Sequence, residues 1–182
     1  MLKKLITLGF SAASLVLSSA AHAQANPTAT ALSNLQIGAG YSYARTDYGW
    51  KGDKGLTIFA DYEFGVHWGL EANYHHTSIS VPQNISEKSF TVGPRVILRA
   101  NHFKLYGKGF LGLGHINAPF SPVNIYAANE TDFLFGAGGG IEYLVGDHLT
   151  IRPADVEYQR WSFRNHGLTP VVFTIGAAYR FH

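Results

Sequence analysis

The sequence predicts an all-β chain, an eight-stranded antiparallel up-and-down transmembrane β-barrel. Three observations predict it. The last stretch, Thr169 to His182 (TPVVFTIGAAYRFH), alternates strictly, with Val171, Phe173, Ile175, Ala177, Tyr179 and Phe181 on one parity and Thr174, Gly176, Ala178 and Arg180 on the other. Such period-2 alternation is the mark of a strand with two unlike faces. Seven earlier segments repeat the pattern. Charged residues fall on one parity of these segments and apolar ones on the other, which a strand facing lipid on one side requires.

The N-terminus is read as a secretory signal peptide over residues 1–23. Met1 to Lys4 is basic, Leu5 to Ala21 is mostly apolar, and Ala21-His22-Ala23 is a small-x-small cleavage site. No Cys follows the site, so a lipid-modified N-terminus is not expected. Residues 24–34 are small, polar and Pro-containing, a flexible lead-in, and the barrel is expected over 35–182.

Lys3 and Lys4 leave with the signal, so the 14 Lys and Arg of the full chain become as numerous as its 12 Asp and Glu. A neutral mature chain argues against a nucleic-acid partner, which calls for a clustered basic surface. The absence of Cys excludes disulfides and thiolate chemistry. No apolar run beyond the signal reaches helix-spanning length. A membrane role must therefore come through strands closed into a barrel, because every backbone polar group in lipid needs an internal partner.

The first strand is expected from Leu35 to Arg45, with Leu35, Ile37, Ala39, Tyr41 and Tyr43 facing lipid, and the second from Gly55 to Phe64, with Leu56, Ile58, Ala60, Tyr62 and Phe64 outward. The third spans Leu70 to Ser80, with Glu71, Asn73 and His75 inward. The fourth, Ser89 to Arg99, is the least regular, because Pro94 lacks an N–H and belongs at an edge or bulge. The fifth runs from Phe103 to His115, with Lys104, Tyr106, Lys108 and Phe110 inward, and the sixth from Thr131 to Tyr143, with Phe133 and Phe135 outward. The seventh, Leu149 to Tyr158, changes phase. A bulge at Arg152-Pro153-Ala154 restores it and turns Asp155 and Glu157 inward. The closing strand is the eighth.

Turns near 65–69, 100–102 and 144–148 are brief, and connections near 46–54, 81–88, 116–130 and 159–168 are longer. Short periplasmic turns and long outer loops are the asymmetry of an outer-membrane barrel. Tyr43, Tyr62, Trp68, Tyr74 and Tyr143 fall near strand ends, where an aromatic girdle sits. The expected inward charges are Asp61, Glu63, Glu71, Glu142, Asp155 and Glu157 against Arg95, Arg99, Lys104, Lys108, Arg152 and Arg180. A balanced set inside a barrel of this strand number forms ion pairs that fill it, so an open general porin is not expected.

The segment from 35 to 182 resembles the small eight-stranded outer-membrane barrels, the OmpA/OmpX-like outer-membrane β-barrel domain. The sharpest piece is Thr174-x-Gly176-x-x-Tyr179-x-Phe181, which is similar to the C-terminal signal that such proteins present to the barrel-assembly machinery. His182 departs from the family's habit of ending on the aromatic itself, and the spacing is intact. The resemblance implies outer-membrane localisation, contact with outer-membrane lipid and the assembly machinery, and a monomer. It implies no OmpA-type periplasmic domain, as nothing follows the last strand.

His76 and Ser78 on the third strand resemble the His and Ser of barrel-type lipid A deacylases. A third group must orient the imidazole, and Glu87 in the next loop fits poorly, so no catalytic residue is assigned. His67, His102, His115, His148 and His166 lack ligand spacing, and no metal or cofactor site is assigned. Gly136-x-Gly138-Gly139-Gly140 lacks the strand–loop–helix setting of a phosphate loop and is read as room for large neighbours. Asn84-Ile85-Ser86 and Asn129-Glu130-Thr131 are sequons without a role here. The function classes left are a structural or surface-interaction barrel acting through four outer loops, a narrow solute channel, and a lipid A-modifying enzyme. A soluble lipocalin-like barrel would invert the faces, and its small interior could not hold so many Phe and Tyr.

Overall fold

The computed structural model describes residues 34–45, 52–79, 85–119, 128–162 and 167–181. The signal segment and lead-in lie outside these residues, save Asn34, which opens the first strand. Eight strands follow one another around a closed antiparallel barrel: β1 (Asn34–Arg45), β2 (Asp53–Glu63), β3 (Trp68–Ile79), β4 (Ile85–Ala100), β5 (Phe103–Ala118), β6 (Ala128–Val145), β7 (Leu149–Trp161) and β8 (Val171–Phe181). Closure joins β1 to β8 from Leu35↔Phe181 to Arg45↔Val171. No sheet edge is left, so every strand finds ladder partners on both sides.

The faces lie as the alternation predicts. Leu56, Ile58, Leu111, Leu113, Phe133, Phe135, Phe173 and Ile175 are exposed on the outer wall, and Gln36, Asp61, Glu71, Arg95, Glu142 and Arg152 are buried inside. The girdle candidates Tyr43, Tyr62, Trp68, Tyr74 and Tyr143 are all exposed. The β7–β8 register shifts between Arg152 and Asp155, at the place where the phase of the sequence breaks, and both Asp155 and Glu157 are buried. Pro94 sits within β4, paired with Leu70 of β3. Toward β5 the ladder skips from Val92↔Leu111 to Arg95↔Lys108 without changing register. The missing N–H therefore costs local pairing and produces no bulge.

Three turns at one end match the brief connections. Asn101 takes the left-handed conformation (φ 52°) in the turn between β4 and β5, which Asn tolerates better than most residues. Gly146 does so (φ 63°) between β6 and β7.

Several boundaries move at the opposite end. β4 begins at Ile85 rather than Ser89, β5 runs to Ala118 and β7 to Trp161. Asp53, Glu87 and Gln159, placed in loops by their polarity, are strand residues buried on the lumen side. Beyond the hydrocarbon neither face must be apolar, so alternation fades there while pairing continues, as in Ser86↔Asn117. Arg99 also departs from expectation. It has lumen parity but lies next to the last residue of β4, and its side chain is 32% exposed.

Placing a guanidinium on the lipid wall should cost about 2–4 kcal/mol at mid-depth. Ile175→Arg is therefore expected to lower stability by that amount in urea titrations of the barrel folded into phospholipid vesicles.

Candidate functional site: the polar interior

At the centre two guanidiniums from adjacent regions of the lumen share three carboxylates. Arg95 Nη1 lies 2.8 Å from Asp61 Oδ2 and 3.2 Å from Glu71 Oε2, and its Nη2 lies 3.0 Å from Glu142 Oε1. Arg152 Nη2 lies 2.7 Å from both Asp61 Oδ2 and Glu142 Oε1. Gln36 Nε2 donates to Asp61 Oδ2 at 2.5 Å and to Glu142 Oε1 at 3.0 Å. The planar cations also stack on rings: Arg152 lies 3.7 Å from the Phe59 centroid and Arg95 4.0 Å from that of Tyr106.

A second layer lies toward the end with the long connections. Lys108 Nζ reaches Glu71 at 2.5 Å, Glu157 at 2.7 Å and Asp155 at 2.9 Å. Tyr106 donates to Asp155. His75 Nε2 is 3.1 Å from Glu157 Oε2, and its Nδ1 is 2.6 Å from Thr57 Oγ1. Thr57 bonds Ser42, which bonds Thr174 Oγ1 at 2.8 Å. At the other end Lys104 Nζ meets Glu63 Oε1 at 2.7 Å, and Arg99 Nη2 meets Glu63 Oε2 at 2.5 Å.

Above the second layer apolar clusters join the buried Asp53, Thr77 and Glu87. Trp161, Leu134 and Phe110 pack together with Leu168 against them, and Ile85, Ile116 and Ala118 pack beside the same Leu168. Trp161 Nε1 donates to Gln159 Oε1 at 2.9 Å, and Gln159 Nε2 donates to Glu157 Oε2 at 3.0 Å. This chain ties the indole to the ion pairs below it. Glycines make room for the large side chains: a Cβ at Gly136 would strike the Phe110 ring, one at Gly140 the Tyr106 ring, and one at Gly114 the Trp161 indole. Gly136 and Gly140 of the β6 glycine run are thus recesses in the wall.

The six carboxylates expected inside, Asp61, Glu63, Glu71, Glu142, Asp155 and Glu157, are buried with five of the six expected cations, Arg95, Lys104, Lys108, Arg152 and Arg180, while Arg99 stays at the rim and Asp53 and Glu87 are buried besides. Trp161 and Gln159 were not legible as lumen residues, because the apparent loop began at Gln159. An apolar residue on the polar parity was the available signal.

Thr57, His75 and Glu157 form a hydroxyl–imidazole–carboxylate chain, the order found in nucleophilic hydrolases. All three are at most 3% exposed and are enclosed by the packed lumen, so no acyl substrate reaches the hydroxyl. The His76 and Ser78 pair lies on the outward face of β3, where His76 pairs with Lys88 and Ser78 with Ser86 of β4. Glu87 faces the lumen instead, on β4 opposite Thr77. It cannot orient His76 from there. Among the described residues no group of three or more His, Asp and Glu is arranged to hold a metal ion.

Removing one guanidinium from the shared cluster leaves uncompensated buried carboxylates, a loss of about 3–5 kcal/mol. Arg152→Ala should show a loss of that size in denaturant titration of the folded barrel, with the heat-modifiable gel shift moved to lower temperature.

The family sequence model described as outer membrane protein beta-barrel domain matches residues 10–181. Among solved structures, Ail, the attachment invasion locus protein of Yersinia pestis, is 24% identical with a TM-score of 0.59, over 82% of this chain and 99% of that one. Neisserial surface protein A is 16% identical with a TM-score of 0.61, over 81% and 94%. OprH of Pseudomonas aeruginosa is 16% identical with a TM-score of 0.54, over 82% and 99%. At these identities the likeness is one of fold. No curated protein matches the sequence. A closed eight-stranded barrel, apolar outside and ion-paired within, together with a family match over nearly its whole length, makes this chain a member of the outer membrane protein beta-barrel domain family.

Proposed function

We propose that the protein is a non-conducting outer-membrane barrel that acts through its outward surface and its four long connections, in contact with surface lipid, other cells or host molecules. The observation that carries this reading is the filled lumen. Side chains from every strand cross it, and an aqueous path would have to break the pairs made by Arg95, Arg152 and Lys108. Short turns belong on the periplasmic side, so the ends of β1 and β8 at Asn34 and Phe181 lie there and the long connections face outward. Ail, of the same fold, is named for attachment and invasion, and a display role of that kind needs outer connections and no pore.

The same reading gives Thr174, Gly176, Tyr179 and Phe181 a role in delivery to the barrel-assembly machinery. Tyr179 and Phe181 stand exposed on the outer wall with ring centroids 4.9 Å apart, so both rings are accessible to a partner surface.

In planar bilayers the purified barrel is expected to give no stable conductance step of porin size, and such a step would overturn the proposal. Lipid A from cells expressing the protein should keep its mass, and a shift abolished by His76→Ala would transfer the reading to a lipid-modifying enzyme. Phe181→Ala should reduce the amount of heat-modifiable barrel in outer-membrane fractions while leaving in vitro refolding intact.

A further inference from the structure

The charges of lumen parity are sorted by sign along the barrel axis. Near the outer ends of the described strands they are carboxylates: Asp53, Glu87, Glu130 and Asp132. At the end with the short turns they are chiefly cations. Arg99, Lys104 and Arg180 stand there with one carboxylate of the strands, Glu63, which already meets both Arg99 and Lys104. Arg180 pairs with no carboxylate among the described residues. Its Nη2 donates to the Gly146 carbonyl at 3.0 Å, and its Nε is buried without a partner. Arg99 likewise turns its Nε to a turn carbonyl, that of Val66, at 3.1 Å. Among the described residues the rim with the short turns therefore carries a surplus of positive charge.

The turns add a repeated feature. His67, His102 and His148 each end a short turn, directly before β3, β5 and β7, and all three are exposed. The carbonyl of each accepts a backbone N–H from the strand alongside: Ile97 of β4 at 2.8 Å, Leu144 of β6 at 2.8 Å and Arg180 of β8 at 2.7 Å. Three imidazoles are thus fixed at one ladder position on every second strand. Turn geometry asks for Gly, Asn or Asp and gives no reason for an imidazole. Two of the rings lean over the wall to its lipid side. His102 lies 6.2 Å from the ring of the outward Tyr143, and His148 stacks on the outward Tyr179 at 5.4 Å with the planes 5° apart. The charged groups around them are Arg99 and Glu63 at the first turn, Lys104 at the second, and Asp147 and Arg180 at the third.

We propose that this rim is a docking surface for the phosphate of an anionic phospholipid of the periplasmic leaflet, held by the turn imidazoles with the guanidiniums of Arg99 and Arg180 behind them. Tyrosines mark the height of the headgroups, and the tyrosines here carry the imidazoles. The sign of the rim complements the phosphate. Imidazole changes charge between about pH 5 and 8, so the contact strengthens as pH falls. The proposal uses the orientation given above, which puts the short turns in the periplasm, but neither the display role nor the absence of conductance. Binding is measured on the purified barrel, so failure of either leaves the other standing.

Native mass spectrometry of the folded barrel, released from mixed micelles of phosphatidylglycerol and phosphatidylcholine with the same acyl chains, shows which lipid stays bound. At about pH 5.5 phosphatidylglycerol is expected to be retained about tenfold over phosphatidylcholine, and at about pH 8 the preference should fall. In micelles the ring resonances of His67, His102 and His148 should move with added phosphatidylglycerol more than that of His115 at the opposite end. Inorganic phosphate at the same concentration should leave them in place. The triple variant His67→Gln, His102→Gln, His148→Gln should lose the preference with the heat-modifiable gel shift intact. Equal retention of the two lipids, a preference unchanged between the two pH values, or a shift of His115 as large as those of the turn histidines would each overturn the proposal. So would a response to inorganic phosphate matching that to the lipid, or an unchanged preference in the folded triple variant. If the triple variant does not fold, the two lipids and the His115 reference on the wild-type barrel decide.

Discussion

Arg95 and Arg152, held among Asp61, Glu71 and Glu142, are the interaction on which the rest of the barrel depends. A guanidinium at the level of the hydrocarbon has only the lumen to occupy, since the lipid wall would cost it several kcal/mol. Once inside, it needs a carboxylate, and the carboxylate needs a second donor. Gln36 from β1, Asp61 from β2, Glu71 from β3, Arg95 from β4, Glu142 from β6 and Arg152 from β7 meet there, and Lys108 brings in β5. Thr174 ties β8 to Ser42 above. A one-residue slip of any strand would send its polar or charged member into lipid, so the network holds the register as much as it fills the space. Buried ion pairs do not in general outperform a well-packed apolar core. Their contribution here is a single permitted arrangement of eight strands.

The parts of the fold legible in the sequence are those that the hydrocarbon disciplines. Between the two interfaces every lipid-facing position must be apolar, and the alternation from Leu56 to Phe64 or Phe173 to Phe181 reads directly as structure. The bulge after Arg152 was legible for the same reason. Val156 and Tyr158 have the opposite parity to Leu149 and Ile151, and only an inserted residue lets all four meet lipid. Legibility fails where that discipline ends. The start of β4 at Ile85 and the end of β7 at Trp161 lie above the hydrocarbon, where Glu87 and Gln159 look like loop residues. Arg99 fails at the other interface. Its parity is right and it pairs with the buried Glu63, but its side chain stays partly exposed at the strand end.

The interior chemistry was legible as composition and not as connectivity. Most of the buried carboxylates and cations follow from parity alone, but which carboxylate meets which cation depends on barrel shear, which no single strand records. The chain from Thr57 through His75 to Glu157 joins residues 18 and 82 positions apart in sequence. Sequence adjacency instead favoured His76 and Ser78, which face outward.

The sealed, ion-paired lumen is tested most directly by solvent accessibility of the central guanidiniums. In lipid bicelles, the side-chain resonances of Arg95 and Arg152 should be unaffected by a water-soluble paramagnetic agent and by a lipid-soluble one, while Leu111, Phe135 and Ile175 are broadened by the lipid-soluble agent alone. Broadening of Arg95 and Arg152 by the water-soluble agent, to the extent seen for residues of the turns, would mean a hydrated lumen and would contradict the account.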